Sequence, residues 1–152
     1  MGQNSYRDEL ERTLARPDAT TLCNTISVYH QYAVLDGRAA QSFYDDNARE
    51  IDAVMWSFNE PDKAFAYIAL STSKFDEPEF LMLIAAGPLE NLMDKPQPGV
   101  IDRIVAEARK NARFRWMLTG VYLHAISDDA RAAVMPLIGG MSSDDPMPNR
   151  TY

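Results

Sequence analysis

Apolar residues recur at helical spacing along almost the whole chain. A first helix is predicted from Ser5, an N-cap residue with acids in the turn that follows and Pro17 to end it. Over residues 20–37, Leu22, Ile26, Tyr29 and Ala33 step by four, three and four, and Asp36-Gly37 supplies a stop. Over 39–58, Tyr44, Ala48, Ile51, Met55 and Phe58 form one apolar stripe, with Asp45, Arg49 and Asp52 on the opposite face.

Proline marks the next two helix starts. Pro61 follows Asn59 and Glu60, at the position where its missing N–H costs nothing, and Phe65, Ile68 and Ala69 mark a buried side. Asp76 reads as a cap, with Pro78 in the first turn and Glu79 at the capping-box position. The run 80–86 is apolar all round, which predicts a central helix. A buried strand is the competing reading, and the cap before it and Gly87-Pro88 after it favour helix.

A short helix should then run from Pro88 to Asp94, followed by a loop rich in proline and glycine. Val100, Ile101, Ile104, Val105 and Ala108 predict the inward face of one further helix; Phe114, Met117, Leu118, Val121 and Tyr122 predict that of another. Ser127 caps a last one. The fold class is all-α, a compact bundle of seven or eight short antiparallel helices. Residues 61–86 offer one solenoid-like pair, but no fixed-period repeat runs through the chain. Residues 1–138 form a single domain; the polar residues 139–152 have little to bury and are expected to form a flexible tail.

Composition changes this picture little. A chain of 152 residues fits one domain. At that size roughly 68–70% of the unfolded surface can be buried, so no staple is needed. Cys23 stands alone, which excludes an intrachain disulfide framework. No apolar leader opens the sequence, and the greasiest segment, 80–89, is too short to span a bilayer. A soluble, cytoplasmic protein is expected.

Charge is more informative. The net charge is −7, and it resides entirely in residues 1–80, which hold seven Lys/Arg against fourteen Asp/Glu. Nucleic-acid binding is disfavoured, because phosphate contacts need a basic footprint. An acidic half suits a basic protein partner.

Catalytic motifs are missing. There is no P-loop, nucleophile elbow, calcium loop or His-Glu-x-x-His sequence. Cys23 and His30 lie two helical turns apart, roughly 10 Å along the axis and too far for direct pairing. His124 sits near a helix end, where it suits the last carbonyls. Asp45, Asp46, Glu50 and Asp52 cluster, but a straight helix surface does not supply the six or more oxygens a hard cation takes. No cofactor or metal is expected.

Arg103, Arg109, Lys110, Arg113 and Arg115 fall close together. They read either as a phosphate-binding patch or as partners for acids of the same fold. Glu90 is the leading partner, since arginine grips carboxylates in a bidentate fork. On this reading Gly87 ends one helix, Pro88 starts the next, and Glu90 ties the joint to Arg113 or Arg115.

Several of these residues form a recognisable series: Gly87, Pro88, Leu89 and Glu90; Ile101, Ile104, Ala108 and Arg109; Arg113, Phe114, Arg115, Leu118, Gly120, Val121 and Tyr122. The series resembles a small uncharacterised bacterial domain of unknown function, over about residues 55–123. The upstream helix from Pro61 to Ile68 also fits it. Tyr122 stands where that pattern has Trp. The resemblance implies an all-α fold and a bacterial or phage source, and no reaction.

Three functions fit. The first is a non-enzymatic binding module that neutralises or inhibits a basic macromolecule, in the manner of an immunity protein, antitoxin or phage inhibitor. Its partner face would be the acidic surface of Asp45, Asp46, Glu50, Asp52, Glu60 and Asp62. The second is a homo-oligomeric accessory domain, a homodimer for instance, which an apolar patch around Trp56, Phe58 or Trp116 would favour. The third is an enzyme built on Glu90, Arg113 and Arg115, with His30.

Overall fold

The computed structural model describes residues 5–150. Its α-helices are α1 (Ser5–Leu14), α2 (Ala19–Ala33), α3 (Gly37–Met55), α4 (Pro61–Lys74), α5 (Pro78–Ile84), α6 (Glu90–Asp94), α7 (Val100–Lys110), α8 (Ala112–Met117) and α9 (Asp128–Ile138). Short 3-10 turns lie at Ser57–Asn59, Leu118–Gly120 and Leu123–Ala125. A π-helical turn, Ala85–Leu89, joins α5 to α6. Counting that joined pair as one rod leaves eight helices among the described residues, an all-α bundle.

The central helix is α4, not α5. Every residue from Ala64 to Thr72 is buried, and α4 packs on α1, α2, α5 and the π-helical turn. Its sequence permits this. Ala64, Ala66 and Ala69 let neighbouring backbones come close, while Phe65, Ile68 and Leu70 fill the space between them. The hydroxyls of Ser71 and Thr72 donate back to the carbonyls of Tyr67 (2.7 Å) and Ala69 (2.9 Å), so neither is buried without a partner. By contrast α5 leaves Leu83 46% exposed.

Helix starts match the sequence where the chemistry is local. Pro61 and Pro78 each occupy the first turn of a helix. Ser127 Oγ accepts the Ala130 N–H at 3.1 Å. Other local readings are corrected. Asp76 does not cap α5; Glu77 occupies that position, and its side chain makes no capping bond. Gly37 does not stop α2 but opens α3, in a left-handed conformation (φ +56°) that suits glycine. The Ser5 cap concerns side chains outside those described.

The α3 stripe is also rearranged. Ile51 and Val54 are buried, whereas Met55 is 39% exposed. Asn47 breaks the helical path (φ −132°, ψ 26°). Its side-chain amide donates to the Phe43 carbonyl at 2.9 Å, the acceptor its own backbone N–H would use in a regular helix. Past the kink the stripe keeps Ile51, but Val54 takes the buried place expected of Met55. Tyr122, predicted inward, is 63% exposed, because α8 gives way to a 3-10 turn and extended backbone before reaching it.

Residues 139–150, predicted to bury little, are tied to the bundle. Met141 and Met147 pack on the core. Trp116 Nε1 donates to the Asp145 carbonyl (3.1 Å), and Arg113 Nε to the Pro148 carbonyl (2.9 Å). Among the described residues no helix is long and apolar enough to cross a membrane.

Candidate functional site

The Gly-Pro-Leu-Glu segment is a helical widening, not a joint. Pro88 has no N–H to donate to Ile84, and its ring would crowd that carbonyl. The helix passes this point by one wide turn, in which the Glu90 N–H reaches the Ala85 carbonyl five residues back. Gly87 keeps φ outside the left-handed region, so it is not a helix stop.

Among the described residues Glu90 pairs with no arginine. Its Oε1 accepts the backbone N–H of Tyr122 at 2.8 Å, just past the last 3-10 turn of the α8 segment. The coupling of these two segments is real, but a backbone donor makes it. Arg113 is buried (3% exposed) and points elsewhere: its Nη1 reaches the carbonyls of Thr72 and Phe75 and Asp76 Oδ1, at 3.0–3.2 Å. Arg115 Nη1 bonds the Ala108 carbonyl at 2.8 Å. Arg109 and Lys110 are exposed at the end of α7.

Arg103 completes the dispersal of the basic run. It grips Glu9 in a bidentate fork (Nε–Oε2 2.9 Å, Nη2–Oε1 2.8 Å) and Asp62 Oδ1 at 2.7 Å, with its guanidinium 4.1 Å above the Phe65 ring. Bonding to Glu9 and then Asp62 raises its pKa. Beside it, Arg16 forks onto Asp18 at 2.7 and 3.0 Å, which lowers the Asp18 pKa. Glu9, Arg12, Thr13, Arg16, Asp62 and Arg103 line a cavity of about 200 Å³. Most of its charges are already matched, so its evident work is to clasp α1 against α4 and α7. Nothing local in the sequence signals a pair such as Glu9 and Arg103, which lie 94 positions apart.

The predicted acidic face divides into free and occupied members. Asp45 and Asp46 are exposed on α3, and among the described residues Asp45 accepts only a Gln41 amide hydrogen at 2.9 Å. Glu50 is half-buried on the same helix. Asp52 accepts the Tyr44 hydroxyl (2.9 Å), which raises the Tyr44 pKa. Glu60 stands 3.7 Å from Lys63, and Asp62 is held by Arg103. At the end of α3, Trp56 is 60% exposed, its ring 5.8 Å from that of Phe58. Trp116, the other predicted patch residue, is buried.

His30 joins α2 to the turn before α5. Its Nε2 lies 2.9 Å from Glu77 Oε2, and its ring stacks on Phe75 with centroids 4.2 Å apart. Neither Cys23 nor a metal-ligating cluster accompanies it; among the described residues no group of three His, Cys, Asp or Glu is placed to hold an ion. Glu90 and Arg115 bond elsewhere, so the Glu/Arg/His arrangement considered for catalysis is not assembled.

Beyond the charged surface lies a groove of about 480 Å³, lined by Pro78, Glu79, Met82, Ala86, Trp116, Gly120, Ser143 and Asp144. No single stretch of sequence signals it, because its walls come from α5, α8 and the C-terminal segment.

A family of unknown function, DUF6869, matches residues 44–138. The chain belongs to this family. No curated protein and no solved structure matches it. The DUF6869 match begins inside α3 and ends with α9, wider than the predicted 55–123. It takes in the π-helical turn, the Glu90–Tyr122 bond, Arg113 and both helical walls of the groove. It leaves out α1, α2 and the C-terminal segment, so Glu9, His30 and Asp144 are contributions from outside the DUF6869 region.

Proposed function

We propose that the chain is a non-enzymatic protein-binding module that neutralises or inhibits a basic partner through the acidic face of α3. The observation that carries this reading is Trp56, 60% exposed at the end of the helix that bears Asp45, Asp46, Glu50 and Asp52. Tryptophan is among the residue types that dominate interface energetics, and surrounding charge steers encounter with an oppositely charged surface. Asp45 and Asp46 are free to do the steering. Glu60 and Asp62 contribute less, because Lys63 and Arg103 partly neutralise them.

The test is capture from a lysate of the native host with the immobilised chain, run beside D45K/D46K and W56A. Loss of the same partner from both variants supports the reading. If charge reversal and W56A leave every captured partner in place, the face is wrong.

One observation favours a second reading. Met55 (39% exposed), Trp56 and Phe58 put apolar surface together at one helix end, which suits a homo-oligomeric accessory domain. Size-exclusion chromatography with light scattering separates the two readings: a dimer that W56A dissolves would favour self-association.

A further inference from the structure

The groove between α5, α8 and the C-terminal segment combines two properties. Its deeper residues are apolar or small: Trp116 is buried, and Met82 and Gly120 are half-buried. Its exposed rim carries Glu79 and Asp144. Several carboxylates of the fold are held by arginines, as Glu9, Asp18, Asp62 and Asp76 are. Among the described residues no cation pairs with Glu79 or Asp144. Two unmatched acids thus flank an apolar trough.

We propose that this groove docks an extended basic peptide segment of a partner protein, one in which Lys or Arg alternates with aliphatic residues. Lysine and arginine are amphipathic: their stems prefer apolar surface while their heads stay at the rim. Here the stems lie over Met82 and Trp116, and the heads reach Glu79 and Asp144. Met82 adapts the trough to differing side chains, since a thioether chain is flexible and polarizable. A volume of about 480 Å³ admits a few side chains rather than a folded domain. The wall bearing Asp144 is anchored by the bond from Trp116 Nε1 to the Asp145 carbonyl, so the floor and rim are directly linked. This site involves none of the α3 acids and stands independently of the function proposed above.

The test is a titration of the full-length, nitrogen-15-labelled chain, followed at the Trp116 indole N–H and the Gly120 amide. Three probes are used: acetyl-Lys-Leu-Lys-Leu-Lys-amide, its counterpart with Glu in place of Lys, and n-hexylammonium. The basic peptide shifts both signals saturably, the acidic peptide does not, and n-hexylammonium binds at least about tenfold more weakly because it engages one rim acid. E79Q/D144N, at exposed positions, keeps the circular dichroism spectrum and weakens the basic peptide roughly fivefold. D45N/D46N, which removes the same charge from α3, changes affinity less than about twofold.

Four results would overturn the proposal. They are unmoved Trp116 and Gly120 signals, equal response to the acidic peptide, equal loss in the two double variants, or n-hexylammonium binding as tightly as the peptide. The last would make the groove a small-amine site.

Discussion

Arg113 Nη1 lies 3.0 Å from Asp76 Oδ1 while also bonding the carbonyls of Thr72 and Phe75, so one buried cation closes the C-terminal end of α4. Its Nε holds the Pro148 carbonyl, and Asp76 in turn holds Arg150 at 2.7 Å. A single side chain therefore links the central helix, the loop before α5 and the C-terminal segment.

Replacing Arg113 should accordingly destabilise the fold more than most substitutions. R113A strands buried carbonyls and is expected to cost about 3 kcal/mol. R113K keeps the charge but loses the fork that serves several acceptors at once, and should cost about 1–2 kcal/mol. Urea unfolding measures both. A loss below about 1 kcal/mol for R113A would show that water replaces these bonds readily.

The same pairing gives the C-terminal segment a pH response. Bonds from Arg150 first, and then Arg113, hold the Asp76 carboxyl below its usual range. Its folded-state pKa is thus depressed relative to the unfolded value of about 3.9. The stabilisation is present in full above that value and is lost as pH falls through the lower folded value. The Trp116 indole signal should therefore move on acidification below about pH 4 while helix content persists. D76N should bring that signal close to its acid position already at neutral pH. An acid transition unchanged in D76N would assign it to another carboxylate.

Which of these features the sequence reveals depends on how local their chemistry is. Pro61 as a helix opener and Ser127 as a cap act within one turn, and both are legible. The widened turn at Pro88 is not, because Gly-Pro reads equally as a stop followed by a start. Only the packing around buried Ala85, Pro88 and Leu89 shows that the rod continues. The α3 stripe holds at Ile51 and is lost at Met55, beyond Asn47, where a side-chain amide competes with the backbone. The partners of Arg103 and Arg113 were least accessible: charge type predicts that arginine will find a carboxylate, but not whether it is Glu9, Asp76 or Glu90. The apolar tally likewise marks α5 as the greasiest segment, although α4, with its small residues, admits neighbours more closely. Of the binding surface, the acids of α3 were legible and the groove was not.

Glu90 offers a direct test of the corrected pairing. Its carboxylate accepts a backbone N–H from Tyr122, and an amide oxygen accepts equally well in kind. E90Q should therefore lose only a few tenths of a kcal/mol, and E90A about 1 kcal/mol. An ion pair with Arg113 or Arg115 would instead make E90Q nearly as costly as E90A. Thermal unfolding of the two variants distinguishes these cases. The Tyr122 amide hydrogen should also exchange faster in E90A than in E90Q.

Gly120 meets α5 at a distance that leaves no room for a methyl group. A Cβ placed there would lie 2.4 Å from Met82 Sδ and 3.2 Å from Ala85 Cβ. The φ angle of Gly120 is not in the left-handed region, so alanine is conformationally allowed and the obstacle is steric. Met82 is half-buried and can move aside, but Ala85 is buried in the π-helical turn and cannot. G120A should therefore cost about 1–2 kcal/mol by overpacking. M82A in the same chain should recover part of that loss, giving a coupling of at least about 0.5 kcal/mol in a double-mutant cycle. Strict additivity of G120A and M82A would mean that the two side chains do not meet, and that the groove floor is not closed by this contact.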